Sequence, residues 1–147
     1  MKTVSDDFRR LLEEAIGAEN ASVAFERPAS VSVRINPFKH FRTFDGAVPV
    51  QWSEYGYILP ERPVFTLDPL FHAGAYYVQD SSAMYVGKVF RDILKERFAE
   101  HQGIMRVLDL CAAPGGKTTD IAASLRSFCG DAFILVSNEI MKSRVSA

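Results

Sequence analysis

One loop, with an acid that follows it, holds the residues best suited to chemistry. Val107-Leu108-Asp109-Leu110 is a short apolar run. Cys111-Ala112-Ala113-Pro114-Gly115-Gly116-Lys117-Thr118 follows it, with small side chains, a Pro-Gly-Gly turn and a cation. Small residues let a backbone approach a ligand closely, and a helix that starts after such a loop presents N–H groups with no intrahelical partner. Glu139 stands 23 residues beyond Gly116, near the spacing of roughly 20 at which an acid accepts hydrogen bonds from ribose hydroxyls. Together these features point to a ligand that carries a nucleoside. The plain alternative is a glycine turn with no ligand.

The elements that must position this loop are legible from pattern. Arg106–Leu110 and Phe133–Val136 read as buried strands, with a helix from about Lys117 to Leu125 between them that turns Ile121, Ala122 and Leu125 inward. Strand, loop, helix, strand is a βαβ unit, which implies a parallel sheet and a right-handed connection. Ligands bind such sheets at the carboxyl ends of the strands. Upstream, Ser5 is an N-cap for a helix with Phe8, Leu11, Leu12, Ala15 and Ile16 on one face, stopped at Gly17. Val31–Asn36 alternates and ends at Pro37, so it reads as a half-buried strand with Val31, Val33 and Ile35 inward and Ser32, Arg34 and Asn36 outward. Residues 44–70 are rich in proline, glycine and aromatics; Pro49 and Pro63 argue against central strands there. A further helix is capped by Ser81 or Ser82, with Ala83, Val86, Phe90, Ile93, Leu94 and Arg97 along one side, and Gly103 marks the break after it.

Composition narrows the function classes. The 147 residues are 48% hydrophobic and 24% charged, enough apolar material for a core. No run approaches the ~20 apolar residues of a membrane span, and the N-terminus lacks the apolar stretch of a signal peptide. Two cysteines, Cys111 and Cys129, make neither a disulfide framework nor a four-ligand zinc site. His40, His72 and His101 share no ligand spacing, so no metal is expected. A reducing, cytoplasmic setting follows as the expectation. The net charge is −1, yet residues 27–46 carry four basic side chains (Arg27, Arg34, Lys39, Arg42) against one acid. That patch is either a phosphate contact or a solvated face.

Three ligands compete for the loop. A dinucleotide fingerprint needs G-x-G-x-x-G, which Gly115 and Gly116 alone do not supply. A phosphate-binding P-loop ends as Gly116-Lys117-Thr118 does, but Cys111 replaces its first glycine and Pro114 removes an N–H donor. The third is S-adenosylmethionine: Val-Leu-Asp-Leu before a small-residue loop resembles the opening of methyltransferases with a Rossmann-like fold. That places Asp109 near the methionine part and Glu139 on the ribose.

The decapeptide Asp109–Thr118 resembles, more specifically, the cofactor loop of the Sun-type RNA 5-methylcytosine methyltransferases. Other segments agree in order: Val33-Arg34-Ile35-Asn36 with Lys39; Trp52 followed by Gly56-Tyr57-Ile58-Leu59; Gly74 to Met84, with Asp80 where the family usually has Glu; and Asn138-Glu139-Ile140 with Ser143-Arg144-Val145. The resemblance runs from about residue 25 to 147. It implies an α/β chain: the start of a Rossmann-like S-adenosylmethionine methyltransferase domain (73–147) preceded by a small α+β domain (1–72) that positions RNA.

The resemblance further implies methyl transfer to the 5-position of cytosine in ribosomal or transfer RNA. A cysteine thiolate activates the base, which must leave its stack. The cofactor, S-adenosylmethionine, would lie against Cys111, Ala112, Ala113, Pro114, Gly115, Gly116 and Lys117, with Asp109 and Glu139. The family's Thr-Cys and Asp-Ala-Pro-Cys motifs do not occur here, so no catalytic residue is expected in this chain; Cys111 is a loop residue and Cys129 a packing one. Lys117 either orders the loop or faces RNA. Arg34 and Lys39 are RNA-phosphate candidates, or surface charge. Gln79 and Asp80 either shape the target site or cap the helix near Ser81. Trp52, Tyr55 and Tyr57 either stack on bases or close a small core. A chain ending after two strands of such a sheet is expected to be truncated, inactive alone and prone to self-association. Two rival readings remain: a P-loop nucleotide hydrolase, and a non-catalytic RNA-binding or regulatory fragment.

Overall fold

A computed structural model describes residues 5–24, 29–39 and 44–144. The chain forms two compact units, Met1–Ser30 and Val31–Ala147.

In the first unit, α1 (Asp6–Ile16) begins where the sequence places it: the Ser5 side chain accepts the Phe8 N–H at 3.3 Å, and Asp6 and Asp7 sit at the positive end of the helix. Gly17 ends α1 by donating its N–H to the Glu13 carbonyl at 2.9 Å. Its own carbonyl then accepts from Ala21, which starts a second helix, α2 (Ala18–Ala24), that the apolar spacing did not signal.

The second unit opens with an antiparallel sheet. Its strands are β1 (Val31–Ile35), β2 (Val48–Pro49), β3 (Gly56–Leu59) and β4 (Tyr76–Val78), in the order β2-β3-β1-β4. Pro49 lies on the edge strand, where a missing donor is tolerated. β4 belongs to this sheet, pairing Tyr76 with Ile35 and Val78 with Val33, so the sheet extends past residue 72. Val33, Leu59, Phe65, Ala75 and Tyr76 form the core on one side. The Tyr76 ring meets Phe44, Phe65 and Phe71 at 5.2, 6.1 and 5.7 Å, and its hydroxyl donates to Asp68 at 2.6 Å.

The opposite face of β1 corrects the sequence reading. It is not solvated: Ser32 and Arg34 are each 4% exposed. Ser32 Oγ donates to the Gln79 carbonyl at 2.6 Å, and Arg34 lies beneath a helix of the following layer. Buried hydrogen-bonding partners, invisible to a period-two pattern, make a polar strand face an interior one.

That layer consists of α4 (Tyr85–Arg97), β5 (Met105–Asp109), α5 (Gly116–Cys129) and β6 (Phe133–Ser137); a short α3 (Pro69–His72) precedes β4. β5 and β6 pair in parallel, Met105 with Phe133 through Asp109 with Ser137, as the βαβ pattern requires. Leu94, Met105 and Leu125 form a second core with Phe90, Ile121, Phe133 and Leu135 around it. The other side of the pair leaves Leu108, Leu110, Ile134 and Val136 exposed.

Two details of α4 depart from expectation. Its entry is capped by neither Ser81 nor Ser82: Asp80 Oδ1 accepts the Ser82 N–H and hydroxyl at 2.9 and 2.8 Å. Its buried side runs through Met84, Gly87 and Leu94, leaving Val86 and Ile93 exposed. The face is turned because Gly87 and Arg91, which carry no apolar signal, meet the buried carboxylate of Asp120: Arg91 Nη1 donates to Asp120 Oδ1 at 3.0 Å. A Cβ on Gly87 would stand 2.6 Å from Asp120 Cγ and closer still to Oδ2. In an open helix Gly→Ala stabilises by about 1 kcal/mol. Here Gly87→Ala is expected to cost about 2 kcal/mol net, because overpacking costs ~1–3 kcal/mol or more. A lowered urea midpoint at unchanged slope is the expected observation; an equal or higher midpoint contradicts it.

Candidate functional site

The loop between β5 and α5 is fastened at both ends. Asp109 Oδ1 accepts the Cys111 N–H at 3.1 Å, and Oδ2 accepts the Thr118 hydroxyl at 2.5 Å. The end of β6 stitches to it: Asn138 donates its N–H to the Asp109 carbonyl at 2.8 Å, and Ala112 donates to the Asn138 carbonyl at 3.0 Å. Gly115 closes the turn by donating to the Ala112 carbonyl at 2.7 Å. Its φ of 103° is a conformation that L side chains rarely adopt. The first intrahelical bond of α5 runs from Thr119 N–H to the Gly115 carbonyl at 2.9 Å, so the amides of Gly116, Lys117 and Thr118 precede it and form the positive helix end.

Glu139 closes the site. Its carboxylate accepts the Met141 N–H at 2.9 Å and the Ala113 N–H at 3.2 Å, while Arg144 donates to the Ala113 carbonyl at 2.9 Å. The Met141 and Ala113 amides, aided by the Arg144 charge, hold the Glu139 carboxyl below the usual glutamate range.

A cleft of about 470 Å³ results, within the ordinary span of small-molecule sites. Of the residues picked from sequence, Ala112, Ala113, Pro114, Gly115 and Glu139 line it. Thr118, Thr119, Ser137, Asn138 and Arg144 line it too, though spacing alone did not single them out. Thr118 closes the Gly-Lys-Thr run, Ser137-Asn138 lead into Glu139, and Asn138 and Arg144 fall in segments that carry the family resemblance. Asp109 ties the loop together from outside the lining. Cys111 and Lys117 are exposed, and Gly116 turns toward β4, where a Cβ would come within 3.0 Å of Tyr77 Cε1.

The two RNA-contact candidates have different fates. Arg34 is interior: Nε donates to Gln79 Oε1 at 2.9 Å, and Nη2 donates to Thr119 Oγ1 at 2.6 Å and the Gly116 carbonyl at 3.2 Å. Burial pushes its guanidinium pKa down, opposed by the Asp120 charge. Its hydrogen bonds are thus made inside the protein, because this face of β1 is covered. Lys39 is exposed, donates to the Ala73 carbonyl, and borders a second cleft whose lining also includes Arg34, Phe38, Tyr77 and Arg126. Gln79 is buried against Arg34 and Asp80 caps the α4 entry. Trp52 donates its indole N–H to the Ser81 carbonyl at 2.7 Å, and Trp52, Tyr55 and Tyr57 are half-buried. Cys129 packs in the second core. Arg27, His40, Arg42 and Val145 lie outside the described residues. Among the described residues, no three His, Cys, Asp or Glu side chains gather as a metal site, and no helix is long and apolar enough to cross a membrane.

The sequence model for the N-terminal domain of 16S rRNA methyltransferase RsmF matches residues 3–81. The chain belongs to this family. It is 31% identical over 158 aligned residues to the ribosomal RNA small subunit methyltransferase F of Enterobacter sp. (strain 638), covering 95% of this chain and 30% of that protein. The chain thus spans about three tenths of the length of that relative. In fold it is similar to the crystal structure of PH0851 (TM-score 0.71, 19% identity, 95% of this chain and 31% of that one). It is also similar to a methyltransferase homolog protein from Pyrococcus horikoshii (TM-score 0.62, 23% identity, 88% and 42%). The Sun-type resemblance read from Asp109–Thr118 agrees with this membership.

Proposed function

We propose that this chain is the part of a small-subunit rRNA methyltransferase that holds S-adenosylmethionine, and that the protein containing it methylates the 5-position of a cytosine. The observation that carries the reading is the cleft itself, which small residues Ala112–Gly115, Thr118 and Thr119 of the first turn of an α-helix, and the Glu139 carboxylate line together. These groups fit the cofactor's parts. The positive helix end suits a carboxylate, Glu139 suits the two ribose hydroxyls, and Asp109 acts at the methionine end by holding Thr118. When bound, the cofactor supplies an electrophilic methyl group. The chain's own residues bind and orient it, and Lys117, exposed at the start of the helix, is left to face RNA.

The same geometry disfavours a polyphosphate. Pro114 has no N–H, the Gly115 and Ala113 amides are taken by the Ala112 carbonyl and Glu139, and a carboxylate stands in the cleft. An anion-wrapping loop needs those donors free. The transfer step belongs to residues outside this chain, since neither Thr-Cys nor Asp-Ala-Pro-Cys occurs in it. The isolated chain is accordingly inactive, and its exposed Leu108, Leu110, Ile134 and Val136 favour self-association.

Transfer of labelled methyl from S-adenosylmethionine to small-subunit rRNA by the intact protein, with the product nucleoside identified by mass spectrometry, tests the reading. 5-Methylcytidine is the expected product; methyl on another base or position contradicts it. A pH series adds a second check. Because the Glu139 carboxyl is held below its ordinary value of 4.5, its contribution to binding is lost only as pH falls through that lowered value. Affinity for S-adenosylhomocysteine is therefore expected to stay level from pH 7 to 5 in calorimetry. A tenfold fall across that interval contradicts the assignment.

A further inference from the structure

We propose that Arg34 is a positioning residue for the cofactor loop, so that the four-stranded sheet of the N-terminal region, which lends no side chain to the cleft lining, controls cofactor affinity through one guanidinium. This rests on the cofactor reading above.

The guanidinium is fixed from several sides. Gln79, just past β4, accepts from Nε at 2.9 Å, and Asp120 lies 3.9 Å from the same nitrogen. Asp120 is itself 2% exposed and bonded to Arg91 of α4. So held, Arg34 grips the first turn of α5 through the Gly116 carbonyl and the Thr119 hydroxyl. That hydroxyl passes the grip on: it accepts from Arg34 and donates to the Gly115 carbonyl at 2.8 Å. Gly115 is the left-handed residue that turns the loop into the helix and lines the cleft. Tyr77 of β4 adds a bond to the neighbouring carbonyl of Pro114 at 3.2 Å.

The Gly116 carbonyl, at the start of the helix, also receives a donor from the sheet behind, and so does the Pro114 carbonyl just before the helix. The sheet thereby sets where the free amides of 116–118 point. A loop already ordered loses less freedom when a ligand arrives, which raises affinity. Arginine suits the task because its planar fork reaches Gln79, Gly116 and Thr119 at once; lysine has one point of attachment.

The test uses the intact protein with Arg34→Met, Arg34→Lys, Thr119→Val and, as a control, Val33→Ala, which cuts a cavity in the other face of the same strand. Two quantities are measured: affinity for S-adenosylhomocysteine, and amide hydrogen exchange across residues 112–119 without ligand. Arg34→Met is expected to weaken affinity about tenfold and to speed exchange at 112–119 but not at Val107. Arg34→Lys is expected to recover part of each. Thr119→Val, at an exposed position, is expected to show the same pattern, and the double variant to be no worse than Arg34→Met alone. Val33→Ala should lower stability and leave both readouts unchanged. Equal affinity and exchange in Arg34→Met and the unaltered protein overturn the proposal, as does an equal loss of affinity in Val33→Ala. If the unaltered protein binds no S-adenosylhomocysteine, the cofactor reading fails, and exchange alone then decides whether Arg34 orders the loop.

Discussion

Replacing Asp120 by alanine is expected to remove about 3–5 kcal/mol of stability, the cost of breaking a buried ion cluster from one side. Asp120 is 2% exposed and stands between Arg34, whose side chain is 4% exposed, and Arg91, at 16%. Its Oδ1 accepts from Arg91, while Oδ2 has no hydrogen-bond partner among the described residues and meets Arg34 by charge alone. With alanine, two largely buried guanidinium groups face each other with no anion between them. Since a domain of this size is stable by only ~5–15 kcal/mol, a large part of the total is at stake. Asp120→Asn keeps the shape and the Arg91 bond but not the charge, and is expected to lose roughly half as much. Urea unfolding measures both. A loss below about 1 kcal/mol for Asp120→Ala would mean that the cluster is solvated in solution.

Glu139→Ala is expected to weaken S-adenosylhomocysteine binding about 100-fold while leaving the fold intact. Hydrogen bonds to a charged group contribute ~1.5–3 kcal/mol each, and a carboxylate on two ribose hydroxyls makes two, less the desolvation of the acid. The side chain is only partly buried, so its removal opens no core cavity. It does free the Ala113 and Met141 amides, which solvent then takes up. Calorimetry on the intact protein gives the number; an affinity within twofold of the unaltered protein removes Glu139 from the site.

The cleft was legible because its signal is local. A strand, a run of small residues, a helix start and an acid at the end of the next strand all fall within residues 105–139, and close range in sequence fixes close range in space. Asp109 was legible as important, but its bonds to Cys111 and Thr118 show that it acts by shaping the loop. What pattern missed depends on long-range pairing. Arg34 alternates like an outward residue, yet its partners Gln79, Gly116 and Thr119 lie 45 to 85 residues away. The inward side of α4 was misplaced for the same reason: Gly87 and Arg91 face inward to meet Asp120, not to bury apolar surface. Arg144 carries no periodic signal at all, and only the fold brings it to Ala113.

The most direct test of the central claim is a paired equilibrium titration of the intact protein with S-adenosylhomocysteine and with ATP–magnesium. A loop whose Ala113 and Gly115 amides are already taken, with Pro114 between them and a carboxylate facing it, predicts saturable binding of S-adenosylhomocysteine and none of ATP–magnesium. Binding of ATP–magnesium without S-adenosylhomocysteine would contradict the account.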